Sequence, residues 1–328
     1  MTGLLLRIVG TLGLSLALLL GMGGLAVAQD TPAPAPEAAP AATVGLYAPS
    51  LPFGDSLARA RYAEMLAKSL ESAIGQTVRG RAFATAGEFQ SQVAAGALDF
   101  AVVDASFAFE HGNLKPLAQA VSGGNPARAL VVATGAGGAN VSALAGQSFV
   151  LFDVGPSEDR FVANFIFQGQ IAADYFKRGK SVRDAQAAVS SVKLGKAQVT
   201  LTYEGATGGL ASVFTSRPAP LPVFVQARDA VEPSLLAAVK KAAVGLPAGT
   251  DVFDSFGGYN PNGAANSGLR SALSQAPGGN QIEPVFAPSG TMLPPVPSYL
   301  EAAVPASAVV EPTMVDALTV PPAPGDTM

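Results

Sequence analysis

Asp104 and Ser106 stand just past the apolar run Phe100–Val103, and Tyr203 and Glu204 just past Val199–Thr202. Gly96 and Gly195 precede these runs, so each reads as a helix end, a buried strand, then a polar or aromatic cluster. Ligands in open α/β sheets lie beyond the carboxyl ends of strands, which makes the two clusters half-sites facing one cleft. The chemistry on offer is non-covalent capture of a small polar molecule by a two-lobed protein. Asp104 and Ser106 bring an acceptor and a hydroxyl, with a turn or cap role competing for Asp104. Tyr47 and Phe107 offer aromatic faces for stacking or for a cation, or else pack the lobe. Glu204, if it faces the cleft, favours an amino-bearing solute; a solvent-exposed glutamate is the other reading. Ser157 follows Pro156 at a helix start, where unpaired backbone N–H groups favour an anion. Glu158 and Asp159 come next, and two carboxylates there already satisfy the helix dipole and repel an oxyanion. An ordinary capped helix is the other reading of that turn.

Covalent chemistry finds little support. His111 is the single histidine, it follows Glu110 at a helix end, and the chain has no cysteine. One histidine cannot build a familiar zinc site. Neither a G-x-S-x-G elbow nor a phosphate-cradling P-loop is present, and Glu158 and Asp159 are adjacent, so they diverge on a helix. The expectation is no enzyme, no cofactor and no metal. Nucleic acid is excluded as a partner by the net charge of −4 and the absence of a basic stripe.

The elements that must position these groups alternate as strands and helices, which argues for an α/β protein with mostly parallel sheets. Val44–Leu46 is a strand, and Asp55 caps a helix carrying Tyr62, Leu66, Leu70 and Ile74, closed by Gly75. Strands follow at Thr77–Phe83, Phe100–Val103, Pro116–Val121 and Ala129–Thr134, with a helix over Ala86–Ala95. A second unit begins near Val141. It has a strand at Phe149–Phe152, a helix over about 158–168, another carrying Ile171, Tyr175 and Phe176, a helix over Ser181–Leu194 and a strand at Val199–Thr202. Ser216–Pro222, with three prolines, reads as a connection; Val223–Val225 is a strand, and Pro233 opens a last helix with Lys240 and Lys241 near its end.

Arg7 and the apolar run Ile8–Leu25 lead to Ala26-Val27-Ala28, an A-x-A site, so residues 1–28 read as a signal peptide cleaved between Ala28 and Gln29. An uncleaved anchor is the alternative. Residues 29–42 are a Pro/Ala-rich linker and 287–328 a Pro-rich disordered tail. Export without cysteine means a fold without disulfides.

The order of elements resembles the phosphonate/phosphite-type solute-binding proteins of ABC importers, of the type II periplasmic-binding architecture. The resemblance rests on Val44-Gly45-Leu46-Tyr47-Ala48-Pro49, Gly96-Ala97-Leu98-Asp99-Phe100, Leu144-Ala145-Gly146-Gln147-Ser148-Phe149, Pro156-Ser157-Glu158-Asp159, Gly169 and Asp174-Tyr175-Phe176. It implies two Rossmann-like lobes, 43–134 plus 221–286 and 135–220, joined by crossovers near Thr134–Asn140 and Ser216–Pro222. It implies hinge closure on a small polar solute, phosphonate/phosphite-like or amino-bearing, and delivery by a periplasmic monomer to ABC-importer permease subunits. The ligand contacts would be Tyr47, Asp104, Ser106, Phe107, Ser157, Tyr203 and Glu204. Arg183-Asp184, at the family's polar helix start, reads here as a solvated helix face. A sensor or scaffold with little solute affinity is the alternative function.

Overall fold

The computed structural model describes residues 42–277 apart from 137–139 and 173. The expected signal peptide with its cleavage site, the tail, and all of the linker but Ala42 lie outside the described residues. The chain runs β1 (Ala42–Tyr47), α1 (Ser56–Ile74), β2 (Val78–Ala82), α2 (Ala86–Ala94), β3 (Phe100–Val103), α3 (Ala105–Glu110), β4 (Lys115–Val121) and β5 (Ala127–Thr134). It continues with β6 (Ser148–Val150), α4 (Glu158–Arg160), a π-helical turn Phe161–Ile166, β7 (Lys177–Arg178), α5 (Ala185–Lys193) and β8 (Val199–Tyr203). The last elements are β9 (Ala211–Pro220), β10 (Val223–Gln226), α6 (Pro233–Ala243), β11 (Ser255–Gly258) and α7 (Ala264–Ser274).

Two sheets result, one ordered β11-β4-β10-β3-β1-β2 and the other β7-β6-β8-β5-β9. Each contains a parallel triad, β2-β1-β3 or β7-β6-β8, flanked by an antiparallel strand, β10 or β5. That antiparallel strand is in each case the one the chain delivers from the other sheet. The carboxyl ends of both triads meet at the seam between the sheets, where Tyr47 at the end of β1 bonds Asp153 past β6 and Ser50 faces Tyr203 at the end of β8.

The local reasons are ordinary. Asp55 accepts from the Ala58 N–H at 2.7 Å and Gly75 ends α1 at φ 71°, while Tyr62, Ala63, Leu66, Ala67 and Leu70 bury one face of it. α1 lies so close to β2 that a Cβ at Gly80 would sit 2.2 Å from the Ala63 carbonyl oxygen. β3 is buried at all four residues, as a central parallel strand should be.

Several expectations need correction. The chain first crosses between sheets at Ser122–Pro126, not at 134–140, because β4 belongs to the first sheet and β5 to the second. Residues 127–134 therefore leave the expected first lobe. Residues 216–220 are strand, not connection: β9 pairs only with β5 at the sheet edge, where Pro218 and Pro220 need no N–H to offer. The helix expected to carry Ile171, Tyr175 and Phe176 does not form among the described residues there. Gln168 and Gly169 take φ of 54° and 76°, and the chain then turns into β7, with Phe176 anchored 5.0 Å from the Phe149 ring. β11 and α7 had no forecast at all. α7 follows a strand of the first sheet yet packs on β9 and the π-helical turn, where Arg160 and Asn164 donate to the Leu273 and Ala272 carbonyls at 3.1 and 3.0 Å. Most buried apolar residues of both sheets form one continuous core, so the seam is packed; Val150, Ala188, Val192 and Ala197 make a small second cluster under α5.

Candidate functional site

The ends of β1, β3, β6 and β8 bring their following residues together at the seam. Tyr47 ends β1, and its hydroxyl donates to Asp153, just past β6, at 2.8 Å. Its ring stacks on Phe89 and meets Phe107 edge-on, with centroids 5.6 and 5.1 Å apart. Phe107 is thus a packing residue behind Tyr47, stacked in turn on His111. Burial and the Asp153 carboxylate hold the Tyr47 hydroxyl well above its ordinary pKa.

Asp104 follows β3 and occupies the N-cap position of α3 without capping it. Its carboxylate instead accepts from the Ser50 N–H at 2.9 Å and from the Ser50 hydroxyl. Burial raises its pKa to about 7 against the pull of those two hydrogen bonds, and Asp153 adds repulsion. Tyr203, at the end of β8, places its hydroxyl 3.5 Å from the Ser50 hydroxyl, and burial raises its pKa too. Ser50, Asp104, Ser106 and Tyr203 line a small void with Leu130, Phe152, Val154, Phe161 and Leu269. Its volume is ≈ 20 Å³, room for about one water. Among the described residues no cation lines it.

Ser157 lies near this void but not in it. Its N–H donates at 3.0 Å to Glu110, from the end of α3. Helix α4 behind it is three residues long and has no side-chain cap. The second Glu110 oxygen is buried without a hydrogen bond and would lie 2.5 Å from a Cβ at Gly155, whose φ is 94°. The carboxylate of one half thus occupies the anion-favouring turn of the other. Burial raises the Glu110 pKa, while the Ser157 contact and His111 lower it. Glu204 points away from the small void. It is exposed and lines a separate cavity of ≈ 510 Å³ with Phe53, Gly54, Arg128, Gln186 and Asp251.

Asp184 corrects an expectation. It is not on a solvated face: its side chain is 1% exposed, pairs with buried Arg59 of α1, and caps α5 by accepting from the Ala187 N–H at 2.8 Å. This ion pair crosses the seam, as do Tyr47–Asp153, Glu110–Ser157 and a backbone bond from Ala185 to Pro49 at 2.8 Å. Sequence reasoning did not single out Ser50, Arg59 or Asp153. Ser50 and Asp153 had a usable signal, since each follows a strand end as Asp104 does.

Residues 51–264 match the family described as ABC transporter, phosphonate, periplasmic substrate-binding protein. Among solved structures, the chain is similar to a binding protein component of an ABC phosphonate transporter from Pseudomonas aeruginosa. The TM-score is 0.57 and the identity 12%, over 70% of this chain and 84% of that one. It is also similar to PhnD1 from Prochlorococcus marinus in complex with methylphosphonate, with a TM-score of 0.57 and 12% identity over 70% of this chain and 96% of that one. At such identity the likeness is one of fold, the mixed α/β type II periplasmic-binding architecture. No curated protein matches the sequence.

Proposed function

The chain belongs to the periplasmic substrate-binding proteins of phosphonate ABC transporters, and from that membership we propose that its seam captures a small polar solute for import. The family serves transport and is not a family of enzymes. The observation that carries the proposal is the convergence of Tyr47, Ser50, Asp104, Ser106, Asp153 and Tyr203 from four strand ends of two sheets. Tyr47, Asp104, Ser106 and Tyr203 are the proposed contacts, Phe107 supports Tyr47 and Ser157 forms the rim, while Glu204, turned toward the separate cavity, is no contact of this site. One lobe is built on β1–β4, β10 and β11, the other on β5–β9 with α7, and the hinge runs through Ser122–Pro126 and Leu221–Pro222. The protein acts as a monomer with permease subunits as its membrane partners, after cleavage between Ala28 and Gln29.

A void of ≈ 20 Å³ requires the lobes to part before anything larger than water enters. Asp104, in a void that no cation among the described residues lines, suits an amino-bearing or hydrogen-donating solute. A phosphonate, which the Prochlorococcus relative holds as methylphosphonate, suits the Ser157 turn only once Glu110 withdraws from it. The test is a thermal-shift screen of amino acids, polyamines, phosphonates, phosphite and sulfonates against the mature chain. A solute at ~100 times its dissociation constant adds about 2.7 kcal/mol, and Asp104→Asn should remove that gain for an amino-bearing solute. A flat screen overturns the proposal. The apolar lining of the void by Leu130, Phe152, Val154, Phe161 and Leu269 favours a second reading, a sensor or scaffold of little solute affinity, and a flat screen supports it.

A further inference from the structure

Behind α7 from the seam lies a larger cavity, ≈ 410 Å³, within the range of small-molecule sites. Its walls are the crossing segment Asn125–Ala127, Pro218 and Arg217 of β9, Phe165, the first turn of α7, and Gln119 of β4. Both sheets and one hinge segment thus contribute. Gln119 and Asn266 are buried and already bonded to each other at 2.9 and 3.1 Å, so they are wall, not bait.

Arg217 is different. Its Nη2 reaches the Asn164 and Gly268 carbonyls only at 3.4 and 3.3 Å, and its Nε is buried with no acceptor among the described residues. Among the described residues no carboxylate pairs with it, and no acidic side chain lines the cavity. The guanidinium is held in place by Phe165, whose ring centroid lies 4.4 Å from Cζ. Burial lowers its pKa, the mark of a cation without an anion. The two carbonyls serve Nη2, but a half-buried guanidinium with no carboxylate beside it, in a recess of neutral side chains, is left without an anion to offset its charge.

We propose that this cavity binds a small organic carboxylate with an apolar body, its oxygens on Arg217 and its body against Phe165, Pro126, Pro218 and Ala265. A bare inorganic anion would leave those walls wet, and a neutral apolar molecule would leave Arg217 unmatched. Because the walls come from both sheets and a crossing segment, the bound acid braces the hinge. The site is separate from the seam and does not depend on what the seam binds.

The experiment is calorimetric titration of the full chain with phenylacetate, and with phenylacetamide as the neutral counterpart. Phenylacetate should bind at least about tenfold more tightly than the amide, since a charge-assisted contact is at stake. Arg217→Gln should weaken phenylacetate at least about tenfold. Ala265→Phe keeps Arg217 but fills the recess and should abolish binding. Asp104→Asn should leave it unchanged. Absent phenylacetate binding, equal binding of acid and amide, or full affinity in Ala265→Phe each overturns the proposal. A comparable change of affinity in Asp104→Asn, in either direction, places the acid in the seam and overturns it as well.

Discussion

Replacing Asp104 by Asn should make the protein more stable at pH 8 and leave it nearly unchanged at pH 4. Burial at the end of β3 raises the Asp104 pKa from 3.8 to about 7. Between those values the folded state holds a proton that the unfolded chain has released. The contribution is therefore fully present below the unfolded value and is lost as pH rises through about 7. Moving the pKa that far corresponds to about 4 kcal/mol as an upper bound. The asparagine amide carries no charge, can accept from the Ser50 N–H and can donate to the Ser50 hydroxyl, so it keeps the contacts without the desolvated carboxylate. Urea denaturation of both proteins at half-unit steps from pH 4 to 8 reads the difference directly, because other titrating groups cancel. The wild type should lose up to about 4 kcal/mol relative to Asp104→Asn across that window. A difference that stays within about 1 kcal/mol, or that favours Asp at high pH, refutes the reasoning: the two bonds from Ser50 would then outweigh burial.

Three other outcomes follow from the same seam and its supports. Arg59→Met strands the Asp184 carboxylate in a site where it is 1% exposed and should cost roughly 3 kcal/mol, softened by Arg183 at 2.9 Å. The double variant Arg59→Met/Asp184→Asn removes the orphan charge while keeping the α5 cap, so denaturation midpoints should recover much of the loss. Glu110→Ala frees the Ser157 N–H and should tighten methylphosphonate about tenfold by calorimetry, about 1.4 kcal/mol; no gain means Glu110 does not block the turn. Gly80→Ala drives a Cβ to 2.2 Å from the Ala63 carbonyl and should lower stability by about 3 kcal/mol, whereas an unaffected melting temperature would show that α1 can move away from β2.

The parallel triads were legible because their signals are local. A buried strand such as Phe100–Val103 is four apolar residues after a glycine, and Asp55, Gly75 and Pro233 mark helix ends by chemistry that acts within one turn. Asp104, Ser106 and Tyr203 could be placed at the seam by the same logic, since a residue just past a parallel strand points where ligands lie. What escaped depended on distant partners. Asp184 reads as an exposed polar residue until Arg59, 125 positions away, is folded against it. β9 was hidden by its prolines, which only an edge position excuses, and edge position is a property of the sheet rather than of the segment. Glu204 shows the converse: its neighbour Tyr203 turns into the seam, so alternation along the strand sends the glutamate outward.

The seam also constrains how any solute could act. A ligand shifts an opening equilibrium only by its differential affinity for the two states. Here the packed seam already pairs most of its polar groups internally: Tyr47 by Asp153, Asp104 by Ser50, Ser157 by Glu110 and Asp184 by Arg59. A solute that merely adds to these contacts has no room, so it must replace one of them. The exchange that costs least is at Glu110, half-buried, with one oxygen already unbonded. An incoming anion there would take over the Ser157 N–H as Glu110 leaves, and protonation of Glu110 would ease its departure. Asp104 offers the opposite exchange, since a cationic group entering beside it would lower its raised pKa and release a proton. The two routes have opposite signatures. An anionic solute displacing Glu110 should bind more tightly as pH falls and the carboxyl, its pKa raised by burial, takes up a proton, and an amino-bearing solute at Asp104 more tightly as pH rises through about 7. The pH dependence of the dissociation constant, measured for whichever solute stabilises the protein, therefore identifies the contact that gives way; an affinity flat from pH 8 down through the ordinary carboxylate range would show that neither carboxylate does.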